Sequence, residues 1–169
     1  MSASPPDPQR LTIASFVPGD EDAIIDLIVP IQSVEYGIAI TADDQPDLRD
    51  IRGFYLPGRG GFWVARDGRQ IVGTIALKEF GDDQGALRKM FVAPDYRGAP
   101  HRLGQTLLDT LLAHARASGL RQVLLGTTDA FHAAHRFYKR NGFTIISKSD
   151  LPAGFPLAPV DTRFYVLDL

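Results

Sequence analysis

Leu103, Leu107, Leu108, Leu111, Leu112 and Ala115 recur at helical spacing between Pro94 and Gly119, and short β-type runs lie on either side of them. An apolar stripe of this kind needs a partner surface, and the flanking runs supply a sheet. Upstream, residues 62–65 and 71–77 flank the turn Asp67-Gly68 and read as a β-hairpin. The turn at residues 81–85 leads into a third run at 87–92, so three antiparallel strands precede the helix. Val123-Leu124-Leu125 follows it as a buried strand. A meander followed by a strand–helix–strand crossover defines an α+β, or mixed α/β, sheet.

The rest of the chain fits around that frame. Residues 11–17 form a first strand ending at Pro18-Gly19, and Asp20, Glu21 and Asp22 open a helix carrying Ile24, Ile25, Leu27 and Ile28. That helix is expected to stop near Pro30. Residues 31–55 are broken by Tyr36-Gly37, Asp43-Asp44 and Pro46, with a short helix predicted over 47–55. Asp129 is positioned to cap a helix that runs to Asn141-Gly142. Residues 143–146 and 163–167 read as closing strands.

Composition narrows the function classes. A chain of 169 residues that is 44% hydrophobic can bury about 70% of its unfolded surface as one domain. A net charge of −2 gives no basic surplus for nucleic acid. The absence of cysteine removes disulfides, thiolate metal sites and acyl-cysteine chemistry. Apolar runs are too short for a bilayer. Residues 1–9, with three prolines, lack the charged head and apolar stretch of a signal peptide and are expected to be a disordered lead before a domain at 10–169. A cytoplasmic address is the default expectation.

The run Lys89-Met90-Phe91-Val92-Ala93-Pro94-Asp95-Tyr96-Arg97-Gly98 carries a strand into a loop that opens the leucine-striped helix. Unpaired first-turn amides and the helix dipole make such a junction an anion site, with Arg97, His101 and Arg102 at hand. Physics leaves the anion open. The spacing Val92-x-Pro94-x-Tyr96-Arg97-Gly98, then Gly104-x-x-Leu107-Leu108, resembles the coenzyme A motif of the GNAT acetyltransferases. Ala134-His135-Arg136-Phe137-Tyr138, continuing to Gly142-Phe143, resembles that superfamily's second signature, A-x-x-F-Y-x-x-x-G-F. The resemblance covers nearly all of the chain from Arg10 onward. It implies six to seven mostly antiparallel strands flanked by about four helices, acetyl-coenzyme A as co-substrate and no metal. It assigns the coenzyme to Met90, Phe91, Val92, Arg97, Gly98, His101, Arg102, Leu103, Gly104, Gln105 and Phe137. A homodimer is a further family-level expectation.

Two positions depart from the pattern. The usual Q/R-x-x-G-x-G/A loop reads Ala99-Pro100-His101-Arg102-Leu103-Gly104, with arginine at the central glycine and a proline that removes one amide donor. Phe131 stands where many members carry a helix-starting Asn. These departures support an alternative, a coenzyme A-binding sensor or interaction module without efficient turnover. A general phosphate-binding protein is a third reading, opposed by the lack of a Walker lysine or a G-x-G-x-x-G loop.

Acetyl transfer to an amine needs a neutral amine, a stabilised oxyanion and a proton for the departing thiolate. The resemblance assigns the last role to Tyr138 and the oxyanion donor to a backbone N–H near Phe91 or Val92. For the base, Glu79 at the end of the third strand and Glu35 are the carboxylates considered, with desolvation or a water relay as substitutes. His132 and His135 are three apart, and no third ligand accompanies them. Glu35 and Tyr36 are expected on the acceptor side, together with residues 149–160. Asp43, Asp44, Asp47 and Asp50 are equally readable as attraction for a cationic amine or as an exposed turn and helix. The acceptor is a small-molecule or peptide amine of open identity.

Overall fold

The computed structural model of the chain describes residues 11–169; the lead expected at residues 1–9 lies outside them. Strand β1 (Leu11–Ser15) is followed by helix α1 (Glu21–Pro30), a π-helical turn (Ile31–Glu35), two 3-10 turns (Ala42–Asp44 and Pro46–Arg49) and helix α2 (Ile51–Tyr55). The meander is β2 (Gly61–Asp67), β3 (Gln70–Phe80) and β4 (Gln84–Val92). Helix α3 (Leu103–Ala117), β5 (Gln122–Thr127), α4 (His132–Arg140), β6 (Thr144–Ile146) and β7 (Arg163–Asp168) complete it.

The seven strands form one sheet in the order β1-β2-β3-β4-β5-β7-β6. Only β4 and β5 run parallel among the described residues, as the crossover through α3 requires. Strand alternation fills two cores from one sequence. Phe62 and Val64 of β2 pack with Ile24, Ile28 and Ile51 on the α1/α2 face. Trp63 and Ala65 of the same strand pack with Leu107, Leu108 and Leu111 of α3, and with Tyr138 and Tyr165, on the other.

One local expectation is refined and one is corrected. The first α-helix ends at Pro30, as expected, but the helical path continues beyond it. The chain passes through that proline into a turn closed by Tyr36 N–H to Ile31 O at 3.1 Å. Pro30 keeps helical backbone angles, and the missing N–H is absorbed where α-helical bonding gives way to wider i to i−5 bonding. Asp129 does not cap α4. Phe131 stands at the cap position with no side-chain bond, while Asp129 accepts from Arg163 Nε at 2.6 Å. An ion pair to β7 has displaced the local capping role.

Candidate active site

Two irregularities in β4 build the site. The first is a split. Strands β4 and β5 pair only at Gln84, Gly85 and Ala86 with Gln122, Val123 and Leu124. Beyond Ala86, β4 follows β3 up to Val92 opposite Gly73, while β5 follows β7 up to Thr127 opposite Arg163. The sheet parts there, and a cavity of about 800 Å³ opens between the diverging strands, α4 and residues 155–161.

The second irregularity is a bulge. Thr74 and Ala76 of β3 face Phe91 and Arg88 of β4, so β4 carries one extra residue over that interval. Lys89 absorbs it with a φ of +52°, and the buried Thr74 hydroxyl donates to Lys89 O at 2.7 Å. Beyond the bulge Ala93 N–H bonds Val72 O on β3 at 2.8 Å. Strand alternation therefore turns the N–H of Val92 the other way, toward the opening.

At one end of the cavity lies the loop before α3. Gly98, Ala99, Arg102, Gly104, Gln105, Phe137 and Arg140 line a second cavity of about 480 Å³, and Phe137 and Arg140 border both. Arg102, at the position of the expected glycine, adopts the left-handed conformation (φ +48°, ψ +39°) as the cap of α3. The arginine therefore takes the backbone geometry for which glycine is favoured. Its amide is spent on Gly98 O at 2.8 Å, leaving the first-turn amides of Leu103, Gly104 and Gln105 without intrahelical partners.

The structure sorts the residues singled out from sequence. Met90, Phe91, Val92, Phe137, Tyr138 and Tyr36 line the large cavity, and Gly98, Arg102, Gly104 and Gln105 the smaller. Leu103 is buried in the core and can offer only backbone. Three residues diverge from their expected roles. Arg97 borders the cavity, but its guanidinium is engaged: Nη2 donates to Glu35 Oε2 at 2.8 Å, Nη1 pairs with the same carboxylate, and Nε donates to Val92 O at 2.9 Å. His101 lies outside both linings, its ring 5.3 Å from that of Tyr96. Glu35 is likewise outside the lining, and its bond to Arg97 holds its carboxyl below the usual range.

Glu79 is corrected outright. It sits at the paired end of β3, opposite Gly85, and lines neither cavity. Arg59 bonds it through the backbone N–H and through Nε at 3.0 Å, holding its pKa low. A carboxylate stabilised in this way and outside both linings is a poor base. Among the described residues no group of three or more metal-ligating side chains gathers. His135 is occupied instead by Thr128 O at 2.8 Å.

Tyr138 is buried, and its hydroxyl donates to Met90 Sδ at 3.6 Å. Burial pushes the phenol pKa well up, with the charge of Asp161 adding to the effect. Asp161, from the segment before β7, lines the cavity with its carboxylate over Gly126 of β5, where a Cβ would strike it. Burial raises its pKa, against a bond from Ala158 N–H at 3.3 Å and the charges of Arg88 and Lys89. Sequence reasoning missed Asp161, Arg140 and the pairing of Arg88 and Lys89 with Asp47, which it had named only as attraction for a cationic amine or as part of an exposed turn and helix. Two adjacent cations inside an apolar strand, Leu87-Arg88-Lys89-Met90, were the available signal.

A mixed sheet parted between its parallel strands, with a helix N-terminus and a basic loop at the mouth, defines the acyl-coenzyme A N-acyltransferase fold. A GNAT-family acetyltransferase from Staphylococcus aureus Mu50 superposes on it with a TM-score of 0.90 and 38% identity, over 94% of this chain and 98% of that one. An acetyltransferase from Streptococcus agalactiae 2603 gives 0.90 and 32%, over 95% and 99%. The profile of the Acetyltransferase (GNAT) family matches residues 25–143. The chain belongs to that family. Among curated relatives, the N-acetylaspartate synthetase of Danio rerio is 32% identical over 124 residues, which are 70% of this chain and 43% of that protein. The chain thus spans less than half of that relative's length. No helix among the described residues is long and apolar enough to cross a membrane.

Proposed function

We propose that this chain is an acetyl-coenzyme A-dependent N-acetyltransferase that moves the acetyl group directly to a primary amine within a ternary complex. The observation that carries the reading is the meeting of Val92, Tyr138 and Asp161 at one opening in the sheet. The residues present fit the coenzyme. Arg102 and Arg140 supply cations beside the first-turn amides of α3, in a second cavity that shares Phe137 and Arg140 with the first.

Acetyl-coenzyme A, when bound, supplies a thioester carbonyl as the electrophile. Val92 offers an amide already turned into the gap, and a donor of this kind can contribute about 3 kcal/mol to the transition state. Tyr138 acts as the general acid. Its raised pKa keeps the phenol protonated at neutral pH, and its present partner is a thioether sulfur, a weak acceptor that a thiolate readily replaces. Asp161 takes the role of base. It is a carboxylate on the cavity wall, and its raised pKa makes it a stronger base than an ordinary aspartate.

The alternative, a coenzyme-binding module without turnover, draws on the unusual residues of the 99–104 loop. The left-handed Arg102 weakens that argument, because the backbone geometry is retained. Calorimetric titration with acetyl-coenzyme A, followed by thiol release with amine acceptors, tests both readings. Micromolar binding with thiol release supports transfer, binding alone supports the module, and no binding at millimolar coenzyme removes both.

A further inference from the structure

The acceptor side of the large cavity has a floor that the coenzyme loop and Tyr138 do not explain. Arg88 and Lys89 are neighbours on β4, and regular strand geometry would send their side chains to opposite faces. The bulge cancels that alternation. Both cations reach one carboxylate, with Lys89 Nζ 3.7 Å and Arg88 Nη2 4.0 Å from Asp47 Oδ2. That same oxygen also accepts the Tyr55 hydroxyl at 2.5 Å.

The two cations differ in what remains to them. Arg88 is committed to Pro156 O at 2.7 Å and to the Tyr55 hydroxyl at 3.2 Å. Lys89 donates to Gln45 Oε1 at 2.5 Å and otherwise has only its share of Asp47. Its side chain is 10% exposed and borders the cavity. Burial brings its pKa down to about 8, the mark of an ammonium short of counter-charge. A left-handed lysine in a strand, buried with a shared contact to Asp47 and only the more distant charge of Asp161, is a costly arrangement for folding alone. An anionic group entering the cavity would complete it.

Nearby acids that could attract a polyamine are otherwise engaged. Asp43 pairs with Arg49, Asp44 accepts from Thr41, and Asp50 caps α2 through Gly53 N–H. Asp161 remains, within electrostatic reach of Arg88 and Lys89. The cavity thus offers a cation for a carboxylate and a carboxylate for an ammonium. Ile38, Ile40, Phe54 and Leu157 add an apolar wall for a side chain.

We propose that the acceptor is a free amino acid whose carboxylate pairs with Lys89 and whose amine faces Asp161. This deepens the acetyltransferase reading and rests on it. Asp161 takes one proton from the ammonium and later returns it to solvent. The freed nitrogen lone pair forms the C–N bond to the thioester carbonyl carbon. The C–S bond breaks with its electron pair on sulfur, and Tyr138 protonates that sulfur. A second N–H proton restores the phenol and the third stays on the amide. The products are an N-acetyl amino acid and coenzyme A.

The test is thiol release by the full chain with acetyl-coenzyme A and the twenty proteinogenic L-amino acids. Putrescine, spermidine and the counterpart of each active amino acid without its α-carboxylate complete the panel. Leucine against isoamylamine and phenylalanine against phenethylamine are two such pairs. The expected kcat/KM favours the amino acid at least tenfold. Lys89→Met brings that ratio near one, and Lys89→Arg restores most of it. Calorimetric titration of the active amino acid into coenzyme A-saturated protein reads the same subsite without turnover, and Lys89→Met weakens it at least tenfold. Equal or better use of amines lacking the carboxylate overturns the proposal, and wild-type protein alone suffices for that comparison. Coenzyme binding with no amino acid acetylated overturns it as well. Failure to bind coenzyme A at all would instead remove the acetyltransferase reading beneath it.

Discussion

Arg102→Gly should move stability and coenzyme affinity in opposite directions. Arg102 holds φ +48° and ψ +39° at the start of α3. A side chain in that left-handed region costs roughly 1 kcal/mol, which glycine avoids. No hydrogen bond or ion pair of the exposed guanidinium is seen among the described residues to offset the gain. The variant without ligand should therefore be about 1 kcal/mol more stable, or roughly 2–4 °C in Tm for a chain of this size. The guanidinium also borders the smaller cavity beside Arg140. Losing one charge-assisted bond to a pyrophosphate costs about 1.5–3 kcal/mol, or roughly a 10- to 150-fold rise in Kd for coenzyme A. Differential scanning calorimetry and titration calorimetry measure the two terms separately. Arg102→Ala serves as the control, losing the charge while keeping the strain. Unchanged or tighter coenzyme binding by Arg102→Gly would refute the reasoning and leave the pyrophosphate to backbone amides alone.

Three further outcomes are expected. Tyr138→Phe should lower kcat by about ten- to a hundredfold, since a thiolate is a fair leaving group, with coenzyme Kd unchanged; an unaltered kcat rejects the general acid. Asp161→Asn should abolish the acidic limb of the kcat/KM profile, which in wild type lies above the ordinary aspartate value of 3.8. Its folded pKa is raised, so ionising Asp161 costs stability as pH rises from 3.8 through the folded value. Asp161→Asn should then be the more stable protein in urea at pH 7, by a margin that shrinks toward pH 4; equal midpoints at pH 7 would contradict the burial argument. Thr74→Val removes the hydroxyl that bonds Lys89 O at 2.7 Å, leaves a carbonyl of the bulge short of a partner and should cost about 1–3 kcal/mol in denaturant unfolding. An unchanged midpoint would mean that the bulge holds itself.

Much of this protein was readable from local pattern. The stripe of α3, the hairpin of β2 and β3 and the closing strands follow from periodicity and turn residues, which act over a few positions. The resemblance of residues 92–108 and 134–143 to known motifs pointed to a coenzyme loop and to Tyr138 before any geometry, and both border the cavities at the parted sheet. Glu79 was misjudged because sequence shows that a carboxylate ends a strand and not which end of the sheet it meets. Asp129 was misjudged because its partner, Arg163, is 34 positions away.

The sequence by itself determined which residues could be buried and in what order the elements come, because hydrophobic period and turn chemistry are carried by neighbours. Tertiary structure decided where the sheet parts, that β4 bulges at Lys89, and that Lys89 meets Gln45 across 44 residues and Arg88 meets Pro156 across 68. The charge of a site, and the pKa of each group in it, depend on what is desolvated beside it. That is a property of three-dimensional proximity, which no local pattern carries.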